Sequence, residues 1–223
     1  IDAGNGQVFG VNENRSIYTR QEGAWAQVPG HLSHVTVGPA GVWGVDSANF
    51  IYRMRGGSWI VMNGLLKQID AGGNGFLGGT DKNNDFFCVN EEEARSATTP
   101  SSPVYNHISG KLTFYSCGLY GCWGVNANND IYFRSNVTPG QCVGSIWALI
   151  RGKLSMIETG TDGSVYGVNS DGKVFRRDGI TSKQPTGTNW SHISIGQIRF
   201  KHVTADLGQL WLTTTSNNII HCQ

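Results

Sequence analysis

The chain has 223 residues, of which 39% are hydrophobic and 15% are charged, and its formal net charge is +1. This near-neutral charge argues against a nucleic-acid partner, because nucleic-acid binders carry basic patches. No run approaches the about 18 apolar residues that a membrane-spanning helix needs, so we expect no membrane insertion. The 31 glycines are roughly double the ordinary share and favour a turn-rich β protein. A chain of this length is compatible with a single all-β domain over residues 1–223.

One short motif recurs six times along the chain. It reads VFGVN from Val8, VWGVD from Val42, FLGGT from Phe76, CWGVN from Cys122, VYGVN from Val165 and LWLTT from Leu210. The middle residues, which lie 34, 34, 46, 43 and 45 positions apart, are Gly10, Gly44, Gly78, Gly124, Gly167 and Leu212. Self-similarity at this period indicates a propeller or a solenoid.

Each repeat contains four short segments that we predict to be strands. The first alternates and ends in small residues, as in Leu66 to Gly72, and the second is the motif itself. The third is aromatic, as at Ile51-Tyr52, and the fourth carries Trp25, Trp59, Trp147 or Trp190, with Tyr105 in the third repeat. Asn, Asp, Gly and Ser between the second and third segments are hairpin-turn residues. Polar insertions between the third and fourth segments, at 90–103, 135–145 and 178–188, predict long loops on one face.

Four antiparallel strands repeated around a ring predict a six-bladed β-propeller with almost no helix. The first three segments occur six times, but the fourth occurs only five times. The sixth blade, residues 198–223, therefore either has three strands or is completed by residues upstream of Ile1. The N-terminus shows no charged-then-apolar leader, so we expect any signal peptide to have been removed.

The five cysteines include no CxxC pair and no histidine at zinc spacing, so we predict no metal site. Cys117 and Cys122 lie on predicted adjacent strands joined by a tight turn, which brings their α-carbons within disulfide reach. Cys88 and Cys142 lie in neighbouring blades and could pair, which leaves Cys222 over. Glycosylation sequons begin at Asn14, Asn136 and Asn189. Cysteines and sequons together favour a secreted, extracellular protein.

The order L-x-x-I-x-A-G, V-W-G-V-N, I-Y-x-R and W-x-x-I-x-G resembles the tectonin repeat of fish egg lectins and tachylectins. The resemblance covers the whole chain and is strongest in repeats two, four and five, whereas repeats three and six lack the terminal Val-Asn. It implies a six-bladed lectin without a cofactor that binds N-acetylglucosamine-type sugars, and we predict multivalent binding at several repeated sites. The implied partners are microbial or egg-surface glycans, such as bacterial lipopolysaccharide or peptidoglycan, in an innate-defence role. A homo-oligomer is compatible with this family.

Sugar binding without a metal needs an apolar platform and planar polar groups, and the repeats supply both. The candidate polar residues are the motif ends Asn12, Asp46, Asn126 and Asn169, and the arginines Arg20, Arg53, Arg134 and Arg176. The candidate platforms are Trp25, Trp59, Trp147 and Trp190. Each set has a structural alternative, because asparagines form turns, arginines form surface ion pairs and tryptophans pack in cores.

An enzyme needs a nucleophile, a base and an orienting group that occur together once. Here almost every polar feature recurs with the repeat. The unrepeated residues, such as Glu91 to Glu93, Arg95 and Cys142, form no known catalytic motif. We therefore predict a non-enzymatic protein, and the alternative to a lectin is a protein–protein interaction propeller without sugar binding.

Overall fold

Alternating β-branched and aromatic residues, bounded by glycine-containing turns, form short antiparallel strands along the whole chain. The computed structural model describes residues 1–98 and 102–222. Its strands form six sheets, five of four strands and one of three, which are arranged as the blades of a six-bladed β-propeller. The predicted fold is thus confirmed.

The first three blades follow one another in chain order, each with its first strand innermost. Blade 1 contains β1 (Asp2–Gly4), β2 (Gln7–Val11), β3 (Ser16–Gln21) and β4 (Ala24–His31). Blade 2 contains β5 (His34–Gly38), β6 (Gly41–Val45), β7 (Phe50–Arg55) and β8 (Ser58–Leu65). Blade 3 contains β9 (Gln68–Asp70), β10 (Leu77–Thr80), β11 (Asp85–Val89) and β12 (Asn106–Lys111).

The last three blades repeat this order. Blade 4 contains β13 (Phe114–Gly118), β14 (Gly121–Val125), β15 (Asp130–Arg134) and β16 (Trp147–Lys153). Blade 5 contains β17 (Met156–Thr159), β18 (Val165–Val168), β19 (Val174–Asp178) and β20 (Asn189–Ile193). Blade 6 has three strands among the described residues, namely β21 (Phe200–Asp206), β22 (Gln209–Thr214) and β23 (Ile219–Cys222).

The connections alternate between two faces because consecutive strands are antiparallel. The loop face carries the first-to-second and third-to-fourth strand connections, including the long ones at residues 90–98 with 102–105, at 135–146 and at 179–188; residues 99–101 of the first predicted loop lie outside the described residues. The turn face carries the second-to-third hairpins and the links between blades. One polar loop differs from the sequence expectation, because Glu91–Ser96 form a short helix, α1, in which Ala94 is buried.

The apolar core lies between neighbouring blades rather than within one sheet. Trp123 and Ile131 of blade 4, for example, form one buried cluster with Leu154, Ile157 and Val165 of blade 5. Near the propeller axis the first strands end in glycines that touch the next blade. A Cβ added at Gly38 would lie 2.2 Å from the carbonyl oxygen of Ala71. The small-residue ends of the first segments therefore permit the tight ring.

Two disulfides cross-link the fold. Cys117 and Cys122 face each other across β13 and β14, with their α-carbons 4.1 Å apart, as the sequence predicted. Cys88 and Cys142 join β11 of blade 3 to the long loop of blade 4, with a Cα–Cα distance of 5.9 Å. Cys222, on the outermost strand of blade 6, is a free thiol.

Candidate functional site

The predicted motif ends lie at the hairpins of the turn face. The Oδ1 atom of Asn126 accepts hydrogen bonds from the backbone amides of Asn128 and Asp130, each at 2.9 Å. The same arrangement is made by Asp46, with its two amides at 2.8 and 2.9 Å, and by Asn169, with its two at 3.1 and 2.9 Å. Asn12 accepts from the amide of Ser16 at 2.9 Å. These side chains therefore stabilise Asx-type turns, whatever else they bind.

The third repeat also has such a residue, one position later than the sequence alignment placed it. Asp81 accepts hydrogen bonds from the amides of Asn83 and Asp85, each at 2.8 Å. Gly79, not Gly78, occupies the place of Gly44, because a Cβ at Gly79 would meet Leu66 as one at Gly44 would meet Leu32. The third motif is therefore Leu77 to Asp81, and only the sixth lacks an Asx residue, with Thr214 in its place.

Three of the four predicted arginines lie against aromatic rings or loop backbone. Arg134 is buried, lies 5.0 Å from the Trp147 ring centroid, and donates from Nε to the carbonyl of Val143 at 2.9 Å. Arg20 lies between Trp25 and Trp211, at 5.5 and 5.3 Å from their centroids.

Arg53 lies 5.1 Å from the ring centroid of Trp43 and reaches the loop of blade 3. It donates to the carbonyls of Arg95 and Ala97 at 3.0 and 2.8 Å. The fourth arginine, Arg176, is exposed. In blade 5 the position equivalent to Arg134 is occupied by Arg177. Its Nε donates to the carbonyl oxygen of Thr186 at 2.8 Å.

The predicted tryptophan platforms are half-buried between blades. A Cβ added at Gly30 of blade 1 would lie 2.9 Å from the ring of Trp59 in blade 2, and Gly152 has the same relation to Trp190 at 3.2 Å. Trp147 donates from Nε1 to the carbonyl of Ser109 at 2.9 Å. Trp25 packs edge-on to Trp211 of blade 6, with the centroids 6.1 Å apart. These rings fill the interblade seams, so each offers little free face to a ligand.

The structure does not bring the predicted asparagines and arginines together. Each asparagine precedes the third strand of its blade, and the arginine lies towards the far end of that strand. In blade 4, four residue steps separate Asp130 from Arg134, which is about 13 Å along a strand. The two sets therefore cannot hold one monosaccharide within a single blade.

A cavity of about 770 Å³ lies between blade 1 and its neighbours and is lined in part by Asn12, Trp25, His34 and His202. In blade 2 the corresponding place beside Gly44 is filled by Leu32, whereas Gly10 of blade 1 has no such neighbour. The cavity thus lies at the place that Leu32 fills in blade 2.

A second cavity, of about 510 Å³, opens on the loop face between blades 4 and 5. We call it the interblade cleft. Its lining includes Tyr120, Asp162, Gly163, Ser164, Arg176, Asp178 and Ser191. The Tyr120 ring lies directly over Gly163, where a Cβ would come within 2.6 Å of it. Glycine is needed there, since its φ of +85° also lies in the left-handed region.

Polar groups line the same cleft as this aromatic ring. Arg176 donates from Nε and Nη2 to Oδ1 of Asp178, each at 3.2 Å, and the Ser191 hydroxyl donates to Oδ2. These hydrogen bonds, from Ser191 first and then from Arg176, hold the pKa of the Asp178 carboxyl below its usual value. Asp162 accepts from the Ser164 hydroxyl at 2.6 Å. The cleft thus combines one aromatic face with a guanidinium, two carboxylates and hydroxyls.

The family follows from a comparison with known domain families. The tectonin domain profile matches residues 1–215. The chain belongs to the tectonin family. The fish-egg lectin of Cyprinus carpio is 41% identical over 151 residues, which cover 67% of this chain and 63% of that protein. The chain thus matches less than two thirds of the length of this relative.

Solved structures share the propeller at much lower identity. YCF48 from Cyanidioschyzon merolae has a TM-score of 0.62 at 13% identity, over 96% of this chain and 79% of that one. Human WBSCR16 has a TM-score of 0.60 at 10% identity, over 91% of this chain and 68% of that one. At such identities the likeness shows the fold alone.

Most cleft residues lie outside the consensus of the tectonin repeat, and for this reason sequence reasoning missed them. Tyr120 occupies a turn that holds Ala40 in blade 2 and Gly6 in blade 1, and Asp162 lies in a turn peculiar to blade 5. Only Arg176 was predicted. Most other cleft residues stand at positions that break the repeat, whereas the predicted residues are those that recur.

The three glycosylation sequons lie at the protein surface. Asn14, Asn136 and Asn189 are all exposed. Within residues 1–98 and 102–222, no three His, Cys, Asp or Glu side chains converge as metal ligands. Over the same residues, no helix is long and apolar enough to cross a membrane.

Proposed function

We propose that this chain is a non-enzymatic extracellular lectin that binds N-acetylglucosamine-type sugars in the interblade cleft. The cleft is the observation that carries the proposal, because it joins an aromatic ring to a set of polar groups on one exposed face. Sugar sites combine an apolar surface for the ring with a few placed hydrogen-bonding groups. Membership of the tectonin family, with a fish-egg lectin among its relatives, supports the same function.

In this proposal one face of the sugar packs on Tyr120. Arg176 and Asp178 form hydrogen bonds with hydroxyl or acetamido groups of the sugar, and the hydroxyls of Ser191 and Ser164 add further hydrogen bonds. The partners we propose are microbial or egg-surface glycans, including bacterial lipopolysaccharide or peptidoglycan, in innate defence. Because the pairing of Tyr120 with Arg176 occurs once in the chain, avidity requires several chains or additional weaker sites.

Retention on N-acetylglucosamine-agarose tests the site. We expect the wild-type protein to be retained, and Tyr120→Ala and Arg176→Ala to weaken binding about tenfold or more. A hydrogen bond to a charged group contributes about 1.5–3 kcal/mol, and 1.4 kcal/mol is a factor of ten. Arg55→Ala, which removes an exposed arginine of the blade 2 hairpin, is the matched control and should bind normally.

Two results would redirect the proposal. If cleft variants bind normally while Asp46→Ala and Asn126→Ala do not, the sugar sites lie at the turn-face hairpins that the sequence predicted. If the wild-type protein recognises no sugar on a glycan array, the lectin proposal fails and a protein-binding propeller becomes the better hypothesis.

A further inference from the structure

Six polar side chains occupy matching positions around the propeller axis, one on the first strand of each blade. They alternate between carboxyl and hydroxyl groups. In blade order they are Asp2, Thr36, Asp70, Ser116, Glu158 and Thr204, which we call the central ring. All six are buried.

At five of the six junctions between neighbouring blades, a central-ring side chain accepts a hydrogen bond from the backbone of the next blade. Asp2 accepts from the amide of Val37 at 2.7 Å, Thr36 from Ala71 at 3.0 Å, and Asp70 from Cys117 at 3.0 Å. Ser116 accepts from Thr159 at 3.0 Å, and Thr204 of blade 6 accepts from Ala3 of blade 1 at 3.0 Å. These bonds hold the blades together at the axis.

The Ser116 hydroxyl contacts two carboxyl groups but has only one hydrogen to donate. Its Oγ lies 2.5 Å from Oε1 of Glu158 and 3.3 Å from Oδ1 of Asp70. A hydroxyl has one hydrogen, and one of its lone pairs already accepts from Thr159. Ser116 can therefore donate to one of the two carboxyl groups only. The other contact is favourable only if that carboxyl group itself carries a hydrogen.

The surroundings also disfavour two negative charges at this point. Neither Asp70 nor Glu158 takes part in any of the ion pairs formed by the described residues. The other titratable groups near the axis are Asp2, Tyr115, His34, His202, Lys201 and the α-amino group of Ile1. Burial first, and then the nearby Asp2 carboxyl, raises the pKa of both Asp70 and Glu158, and together they outweigh the hydrogen bonds from Ser116 and backbone amides that lower it.

We propose that blades 3, 4 and 5 are joined at the propeller axis by a proton that Asp70 and Glu158 share through Ser116. Loss of this proton at higher pH leaves two buried carboxylates against a single hydroxyl hydrogen. The repulsion weakens the contacts among blades 3, 4 and 5. The proposal is independent of sugar binding, although the interblade cleft lies between two of these blades.

The sign of the pH dependence follows from linkage. A carboxyl group that binds its proton more tightly in the folded state keeps it in a pH range where the unfolded chain has lost it. The stabilisation is therefore fully present below the unfolded value of about 4 and is lost as pH rises through the folded pKa. We expect the wild-type melting temperature to fall between pH 5 and pH 9.

The test uses amide replacements, which keep the shape and supply a hydrogen without titrating. In Asp70→Asn combined with Glu158→Gln, the melting temperature should change much less between pH 5 and pH 9 than in the wild type. Asp130→Asn is the control, because the pKa of this surface carboxyl is lowered by Lys153 and its removal should leave the wild-type fall intact. An equal fall in the double variant would overturn the proposal.

Infrared spectroscopy of the wild-type protein tests the proton without any substitution. A protonated carboxyl group has a carbonyl band distinct from that of a carboxylate. We expect this band at neutral pH, together with its loss as pH rises over the range in which the melting temperature falls. Absence of the band at pH 7 would overturn the proposal even if the double variant did not fold.

Discussion

At the scale of single residues, one side chain often has a local structural task that its recurrence in the sequence does not reveal. Asn126 has two amide partners from its own hairpin, and Arg134 lies buried between a loop carbonyl and a tryptophan ring. Both residue types are also common in sugar sites. Repetition cannot separate the two roles, because a repeated fold repeats its turn formers as well as its ligands.

Substitution of Asn126 separates these roles. We expect Asn126→Ala to lower the free energy of unfolding by about 1–2 kcal/mol, because two net hydrogen bonds to backbone amides are lost. Urea denaturation measures this change, and binding to N-acetylglucosamine-agarose should be unaffected. The nearby Asn128→Ala, which alters an exposed side chain of the same turn, should stay within about 0.5 kcal/mol of the wild type. Equal stability of both variants would contradict the turn role.

At the scale of elements, the two disulfides differ in what they connect. Cys117–Cys122 joins two strands that already pair in register, and its sequence separation is only 5. Cys88–Cys142 ties blade 3 to the loop of blade 4, over a sequence separation of 54. The amide of Cys142 also donates to Asn90 just before α1 at 2.9 Å. The longer bridge therefore closes a long stretch of chain, and it also holds the long loop of blade 4 against the segment around Asn90.

The loop lengths give a stability order for the two bridges. In the chain-entropy account, replacing Cys88 and Cys142 by alanine should cost about 4 kcal/mol, and replacing Cys117 and Cys122 about 2 kcal/mol. Denaturant titrations of both double variants without reductant, against the wild type, measure the difference. A greater loss for the Cys117 and Cys122 pair would show that local pinning of the hairpin outweighs loop closure.

At the scale of the whole molecule, stability depends on how closely six similar blades approach the axis. The glycine ends of the first strands allow that approach, as at Gly4, where a Cβ would lie 2.1 Å from the carbonyl oxygen of Val37 in the next blade. Since backbone carbonyls of packed strands cannot retreat, the ring is sensitive to a single added methyl group. The central ring of polar side chains depends on the same spacing.

Alanine at Gly38 tests this spacing. We expect Gly38→Ala to destabilise the protein by about 3 kcal/mol or more, because the added Cβ would overlap the Ala71 carbonyl. Gly140→Ala is the matched control, since nothing lies within 4 Å of its added Cβ. Its free energy of unfolding should change by no more than about 0.5 kcal/mol. Soluble yield and the urea midpoint measure both. A Gly38→Ala protein as stable as the control would mean that the blades can separate without loss.

The six-bladed propeller and the Cys117–Cys122 bridge could be predicted from the sequence. Both depend on local patterns, namely alternating strands, turn residues and two cysteines on facing strands of one hairpin. The period of the repeat then leaves few ways to close the chain on itself.

The remaining features depend on how the blades pack against one another. This packing set the register of the third repeat at Gly79, because Leu66 must pack beside that glycine. It brought Tyr120 and Arg176 together from different blades, and it assembled Asp70, Ser116 and Glu158 at the axis. Such contacts depend on the distance between blades that are more than 40 residues apart in sequence, which no local pattern specifies.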